Sequence, residues 1–214
     1  MDGIVILISG RGSNLKAIYN TNLKNKIKCV ISNKVDALGI EFAKNNSLNT
    51  EIIAHNSFKS REEFENQLMI SIDKYSPKLI VLAGFMRILG NNFVNKYRGK
   101  IINIHPSLLP AFPGANAPQY TVNANVKVSG ASVHFVTDKV DFGPIIAQGV
   151  VRVETTDSPN DLASRILEIE HILYPFVISK ILLNQINIHN DKINLKKEAD
   201  DAKFLGKYFS NIFY

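Results

Sequence analysis

Ile4-Val5-Ile6-Leu7-Ile8-Ser9-Gly10-Arg11-Gly12-Ser13-Asn14-Leu15-Lys16-Ala17-Ile18-Tyr19 stands near the head of the chain. Ile4 to Ile8 has no interior polar residue, which suits a strand covered on both faces, as in a parallel sheet. Leu15 to Tyr19 returns at helical spacing. Strand, glycine-rich turn and helix in that order form an anion-binding arrangement, because Gly10 and Gly12 allow a tight turn and free N–H groups gather near the helix start. Ser13 or Asn14 is expected to cap that helix. The spacing is not that of a dinucleotide fingerprint, and no Gly-Lys-Ser/Thr follows for a nucleotide-triphosphate loop. The phosphate of a monophosphate substrate fits the turn better. A plain tight turn is the alternative.

Outward from this stretch the alternation continues. Ile27 to Ile31 reads as a strand ended by Ser32-Asn33-Lys34. Ala37 to Asn46 reads as a helix with Leu38, Ile40 and Phe42 inward. Thr50 to Ile53 is a short strand. Ser60 and Glu63 form a capping box, and Phe64, Leu68, Ile72 and Tyr75 follow as a helical stripe. Lys78 to Leu82 is a further buried strand, Asn91 to Tyr97 a helix, and Ile101 to Ile104 a strand. Lys127 to Val136 and Ile145 to Val153 break the pattern and read as antiparallel strands. Ser158-Pro159-Asn160-Asp161 starts a long helix carrying Leu162, Ile166, Ile169, Leu173 and Phe176, which Pro175 is expected to break or kink. The fold class is α/β: a Rossmann-like twisted sheet, mostly parallel in the N-terminal half, with antiparallel strands added in the C-terminal half and helices on both faces. Residues 186–214 read as a short hairpin or peripheral strand and a loosely held end that includes Leu205, Phe209, Phe213 and Tyr214.

Composition narrows the function. A chain of 214 residues with 45% hydrophobic content can bury a sizeable core. The net charge of +6 is scattered among lysines. No basic run alternates with aromatics, so an anionic metabolite suits it better than nucleic acid. The lone Cys29 excludes a disulfide framework and fits a reducing compartment. Met1-Asp2-Gly3 is not a basic leader, and Ile4 to Ile8 is far too short to span a membrane. A cytoplasmic location is expected.

The chemistry centres on Ile101-Ile-Asn-Ile-His-Pro-Ser-Leu-Leu-Pro-Ala-Phe-Pro-Gly114. A buried strand runs into a proline-pinned loop. Alternation places Asn103 and His105 on one face, about 6.6 Å apart along the backbone. The bland reading has Asn103 capping the loop and His105 packed against it. Phe85, Met86 and Ile88 lie at a strand-end loop where they could line a pocket for a flat ring system, with Arg87 near an anion or in solvent. His134 and Asp141 complete the candidate polar set. The residues do not support a metal site: there is no His-x-His pair, no HExxH and one cysteine. Ser107 could act as a nucleophile with His105 and Asp141, but it is not in a Gly-x-Ser-x-Gly elbow. A third reading is direct acyl transfer to an amine. It needs a donor such as Asn103 or protonated His105 for the oxyanion and a carboxylate such as Asp141 for the proton.

These residues together resemble the folate-dependent, single-domain phosphoribosylglycinamide formyltransferases. The matching pieces are Ile8 to Leu15, Ser32-Asn33-Lys34, Leu82 to Ile88, Asn103-Ile-His-Pro-Ser-Leu-Leu-Pro110, Val133-His-Phe-Val136, Asp141-Phe-Gly-Pro144, and Glu170-His171 with Tyr174-Pro175. They fall in family order over roughly residues 3–183. The resemblance implies formyl transfer from 10-formyltetrahydrofolate to the amine of glycinamide ribonucleotide, in purine biosynthesis, with no metal. It implies a catalytic trio of Asn103, His105 and Asp141, supported by His134. It implies substrate contacts from Gly12, Ser13, Asn14 and Glu170. For the folate it implies Phe85, Met86, Arg87, Ile88 and Leu89, with Val140, Phe142 and Gly143. Residues 1–185 would be the catalytic domain, with 1–100 the phosphate-substrate half and 101–185 the catalytic and folate half. Residues 186–214 would be a peripheral extension. The partners would be small molecules, neither nucleic acid nor membrane, and the enzyme a monomer or homodimer. The run Ala115-Asn-Ala-Pro-Gln-Tyr-Thr-Val122 departs from the family, with Pro118 near its usual histidine. This loop faintly resembles methionyl-tRNA formyltransferase, which normally carries a further C-terminal domain for which about 30 residues here are too few. Amino-sugar formyltransferases and a non-catalytic phosphate-binding module are the other readings.

Overall fold

The computed structural model describes residues 3–189 and 192–195. A seven-stranded sheet has the order β3-β2-β1-β4-β5-β6-β7. Its strands are β1 (Ile4–Ile8), β2 (Ile27–Ser32), β3 (Thr50–Ile52), β4 (Leu79–Leu82), β5 (Ile101–His105), β6 (Val128–Phe135) and β7 (Ile145–Arg152). Pairings from β3 across to β5 are parallel; β5–β6 and β6–β7 are antiparallel. All five residues of β1 and all four of β4 are buried, which is why their sequences are unbroken apolar runs.

Helices α1 (Ser13–Tyr19), α2 (Leu38–Asn45), α3 (Arg61–Tyr75), α4 (Asn91–Lys96), α5 (Ala117–Asn123) and α6 (Pro159–Leu182) connect or cover the strands. Two cores form, one on each face of the sheet. Leu15, Ile40, Leu162, Ile166 and Tyr174 belong to one, and Phe64, Leu68, Phe93 and Leu89 to the other. The α3 stripe is as expected, with Phe64, Leu68 and Ile72 buried. Its cap is divided. The Ser60 hydroxyl accepts from the Glu63 N–H, but the Glu63 carboxylate accepts from Lys59 N–H rather than returning to Ser60.

Several local expectations need correction. Neither Ser13 nor Asn14 caps α1: Gly12 occupies the cap position with φ 71°, and no side chain bonds there. In α2 the inward residues are Gly39, Ile40 and Ala43, whereas Leu38 is exposed. The helix begins at Leu38, one residue later than read, and its core face is the one that carries Gly39, Ile40 and Ala43. The atypical run after Gly114 is not all loop, since Ala117–Asn123 is helical with Pro118 in its first turn. The missing proline N–H has no intrahelical partner to lose there. Pro175 does not break α6, which runs on to Leu182. Its ring costs about 3 kcal/mol in a helix interior. Leu173, Tyr174, Val177 and Ile178 flank it and are all buried, and that packing outweighs the penalty.

Tyr174 is fully buried, and its hydroxyl reaches the carbonyls of both Leu82 (2.9 Å), the last residue of β4, and Ile102 (3.1 Å), near the start of β5. A hairpin of β8 (Ile186–His189) and β9 (Lys192–Leu195) follows α6, so part of the expected peripheral hairpin is present. Leu205, Phe209, Phe213 and Tyr214 lie outside the described residues. No helix among the described residues is long and apolar enough to cross a membrane.

Candidate active site

Strand β5 delivers Asn103 and His105 to the C-terminal edge of the sheet, and β6 runs antiparallel beside it with Asn103 opposite His134. The turn after β6 brings Asp141 over the same spot, with φ 53°. Asp tolerates that left-handed conformation better than most residues. Four of the expected residues therefore converge: Asn103, His105, His134 and Asp141.

Their bonding partners define their states. His134 Nδ1 lies 3.0 Å from the Phe135 carbonyl, which only accepts. That places a proton on Nδ1 and leaves Nε2 between Asn103 Nδ2 at 3.3 Å and Asp141 Oδ1 at 3.6 Å. The Asn103 amide is thereby oriented, with a second N–H left to offer. His105 Nε2 lies 2.9 Å from the Phe112 carbonyl, and its Nδ1 lies 3.4 Å from Asp141 Oδ2. Both ring nitrogens face acceptors, a setting complementary to the imidazolium. Asp141 Oδ1 is 3.6 Å from His134 Nε2, and Oδ2 accepts the Gly114 N–H at 2.8 Å. Burial pushes the Asp141 carboxyl up. The His134 ring, the Gly114 N–H and the charge of His105 outweigh that and hold it below the ordinary carboxylate range.

Phe112 and Gly114 were invisible as functional positions in the sequence, since each acts through a backbone group. The loop that carries them is anchored by Ser132 on β6. The Ser132 hydroxyl donates to Ser107 O (2.7 Å) and accepts from Leu109 N (2.9 Å). The Ser107 hydroxyl donates to Ala111 O at 2.6 Å. It faces its own loop and not His105, so the serine-nucleophile reading loses its base. Ser107→Ala is expected to keep kcat within about threefold of the parent, as for loss of one neutral hydrogen bond remote from the reacting atoms. Single-turnover kinetics check this, and total loss in a folded, ligand-binding variant would revive the serine.

A second constellation lies where α1 meets α6. Asn14 Nδ2 donates to Glu170 Oε2 at 2.7 Å, and both residues are buried. Gly12 and Ser13 precede it, and Gly12 packs against Gly39 at the start of α2: a Cβ on Gly12 would sit 2.8 Å from the Gly39 Cα. Burial pushes the Glu170 carboxyl up, and the Asn14 bond only partly offsets it. A raised carboxyl favours the folded state most at low pH, and that benefit is lost as pH rises through its folded pKa. Glu170→Gln is therefore expected to raise Tm by a few degrees at neutral pH. The gap should close toward pH 4, while binding of the acceptor substrate weakens. Thermal melts across that range check the sign.

The residues expected at the folate are divided by burial. Phe85, Leu89 and Gly143 are buried; Met86, Arg87, Ile88, Val140 and Phe142 are exposed. Phe142 lines a cavity of about 610 Å³ with Val94, Val136 and Pro144. Ile88 and Leu89 line a neighbouring one of about 480 Å³, and Asp138 borders both. Among the described residues, no group of three or more His, Cys, Asp or Glu could hold a metal ion.

Residues 3–178 match the formyl transferase family model. The chain belongs to the formyl transferase family. It is 44% identical over 192 residues to the phosphoribosylglycinamide formyltransferase of Escherichia coli K12, covering 88% of this chain and 91% of that protein. It is 38% identical to the human trifunctional purine biosynthetic protein adenosine-3, covering 91% of this chain and 20% of that much longer protein. Among solved structures, the phosphoribosylglycinamide formyltransferase of Coxiella burnetii superposes with a TM-score of 0.86 at 46% identity, covering 90% of this chain and 92% of that one. As in that structural relative, this formyl transferase has a mixed sheet, parallel through β5 and antiparallel beyond it.

Proposed function

We propose that this formyl transferase moves the formyl group of 10-formyltetrahydrofolate to the amine of N1-(5-phospho-D-ribosyl)glycinamide, a step of purine biosynthesis. The observation that carries this reading is the near full-length match to single-function phosphoribosylglycinamide formyltransferases, at 91% of the E. coli protein. The match leaves little of those relatives unaccounted for.

The residues support direct attack. The neutral substrate amine adds to the formyl carbon, and the carbonyl oxygen becomes an oxyanion. Asn103 Nδ2 is the donor for that charge, and the His105 imidazolium stabilises it through its own positive charge. The Asp141 carboxylate keeps His105 charged and, through water, takes up the proton that the amine sheds. Collapse of the intermediate breaks the bond to N10 of the folate, and that nitrogen leaves with the proton. The products are the formamide and tetrahydrofolate. In this reading His134 orients Asn103. Gly12, Ser13 and Asn14 with Glu170 hold the phosphorylated acceptor. Residues 85–89 with Val140, Phe142 and Gly143 hold the folate. Residues 1–100 then serve the phosphate substrate, residues 101–185 serve catalysis and the folate, and 186–214 are peripheral. Two small-molecule substrates, a monomer or homodimer, and a cytoplasmic location complete the proposal.

A spectrophotometric assay with 10-formyl-5,8-dideazafolate tests it, run with and without the ribonucleotide. Turnover that requires the ribonucleotide supports the reading. Turnover only with an amino sugar or aminoacylated tRNA replaces it. Silence with both ligands bound overturns the catalytic assignment.

A further inference from the structure

The loop from Ala83 to Gly90 presents an unusual surface. Met86 is 74% and Ile88 63% exposed, while Phe85 and Leu89 between and beside them are buried. Apolar side chains that project into solvent can form a binding wall only if the backbone beneath them is fixed. The fixing comes from outside the loop. Ser9, the residue after β1, donates its backbone N–H to Gly84 O at 3.1 Å. Its hydroxyl accepts the Met86 N–H at 2.7 Å and donates to Asn33 Oδ1 at 2.5 Å. Ser9 and Asn33 are both buried. Asn33 is held in turn: His55 Nδ1 lies 2.8 Å from the Asn33 carbonyl and 3.1 Å from its Nδ2. The shorter contact assigns the Nδ1 proton to the carbonyl. The far end of the loop is tied separately, by the Gly90 N–H to Glu65 Oε1 at 2.8 Å.

We propose that Ser9 is a positioning residue for the formyl donor: its hydroxyl clamps the Met86 N–H and so sets the wall made by Met86 and Ile88. The proposal rests on the reading that residues 85–89 face the folate. Ser9 adjoins Gly10, so a single residue joins the base of the glycine turn to the donor-side loop. The clamp acts on only one of the two sides. Removing the hydroxyl leaves the Ser9 backbone bond to Gly84, and hence the β1–β4 edge and the glycine turn, in place. It frees Met86.

The test is a two-substrate kinetic comparison of Ser9→Ala and Ser9→Thr with the parent. Ser9→Ala is expected to raise KM for the formyl donor up to about tenfold, as for loss of one hydrogen bond, and to leave acceptor KM within about twofold. Ser9→Thr keeps the accepting oxygen and is expected to restore donor KM. Equal increases in both KM values, an unchanged donor KM, or a Thr variant as impaired as Ala overturns the proposal. Hydrogen exchange on the unmodified protein keeps the question open to test should Ser9→Ala not fold. The Met86 amide is expected to exchange as slowly as those of β4; exchange at an exposed-loop rate overturns the clamp. Exchange requires no substrate, so a protein that shows slow Met86 exchange but no formyl transfer counts against the functional reading and leaves the clamp standing.

Discussion

Asp141→Asn lowers kcat by roughly 10²–10⁴, the range general acid–base groups contribute, while both KM values move only a few-fold. The amide keeps the size and one accepting oxygen, so the Gly114 N–H bond at 2.8 Å has a partner. What disappears is the charge facing His105 at 3.4 Å and His134 at 3.6 Å. His105 then lacks the counter-charge that favours its imidazolium, and the shed proton lacks its acceptor. The pH dependence follows the same group. The carboxyl is held below the ordinary range, so it stays ionised through the usual working pH. Its contribution to stability is present above the unfolded carboxyl value and is lost as pH falls through the depressed folded value. Activity and stability of the parent should decline together on that acid limb, and the Asn variant should lack the limb in its melts. A pH series of turnover and melting for both proteins is the check. Parent-like turnover in the variant would remove Asp141 from the mechanism.

Gly143→Ala is expected to cost at least about 10² in kcat/KM, the penalty of misplacing a catalytic group by about an ångström, and to lower Tm by several degrees. A Cβ at Gly143 would lie 1.8 Å from the Phe135 carbonyl oxygen and 3.2 Å from Thr137 Cγ2. The nearest atom is backbone and cannot swing aside. Phe135 N–H also bonds Pro144 O at 3.0 Å, so the turn and the strand end are tied at this point. The added methyl must push the turn outward and carry Asp141 with it. It also disturbs Phe135, whose carbonyl fixes the His134 ring. Crystallography of the variant would show the displaced carboxylate. Full activity with the turn in its original position would mean that the close approach is dispensable.

Much of this was legible because the informative residues act through side chains at regular spacing. The unbroken apolar runs of β1 and β4 fixed the parallel half, and period-two alternation put Asn103 and His105 at one place on β5. The capping box at Ser158 and Asp161 located the start of α6, and it forms in full. The misreadings share a cause. Caps at Ser13 or Asn14 were inferred from local preference, but Asn14 finds a distant partner in Glu170, 156 residues along the chain. Leu38 is apolar, yet it stands on the solvent side of α2, because apolarity alone does not say which face of a short helix meets the core. Pro175 was weighted by its local penalty without the burial around it. The Phe112 carbonyl and the Gly114 N–H carry no side-chain signature, and only the folded loop reveals what they hold.

The buried hydroxyl of Tyr174 has a consequence for how such an enzyme can change over evolution. One proton shared by the carbonyls of Leu82, the last residue of β4, and Ile102, near the start of β5, fastens two neighbouring strands beneath the loops that carry the site. Drift beyond that fastening is decoupled from the spacing of the strands themselves. The stretch from Ala115 to Val122 carries Pro118 in the first turn of a short helix, while Gly114 just before it meets Asp141 at 2.8 Å. Acceptor preference is then open to selection one loop at a time, with the bond-making chemistry inherited intact.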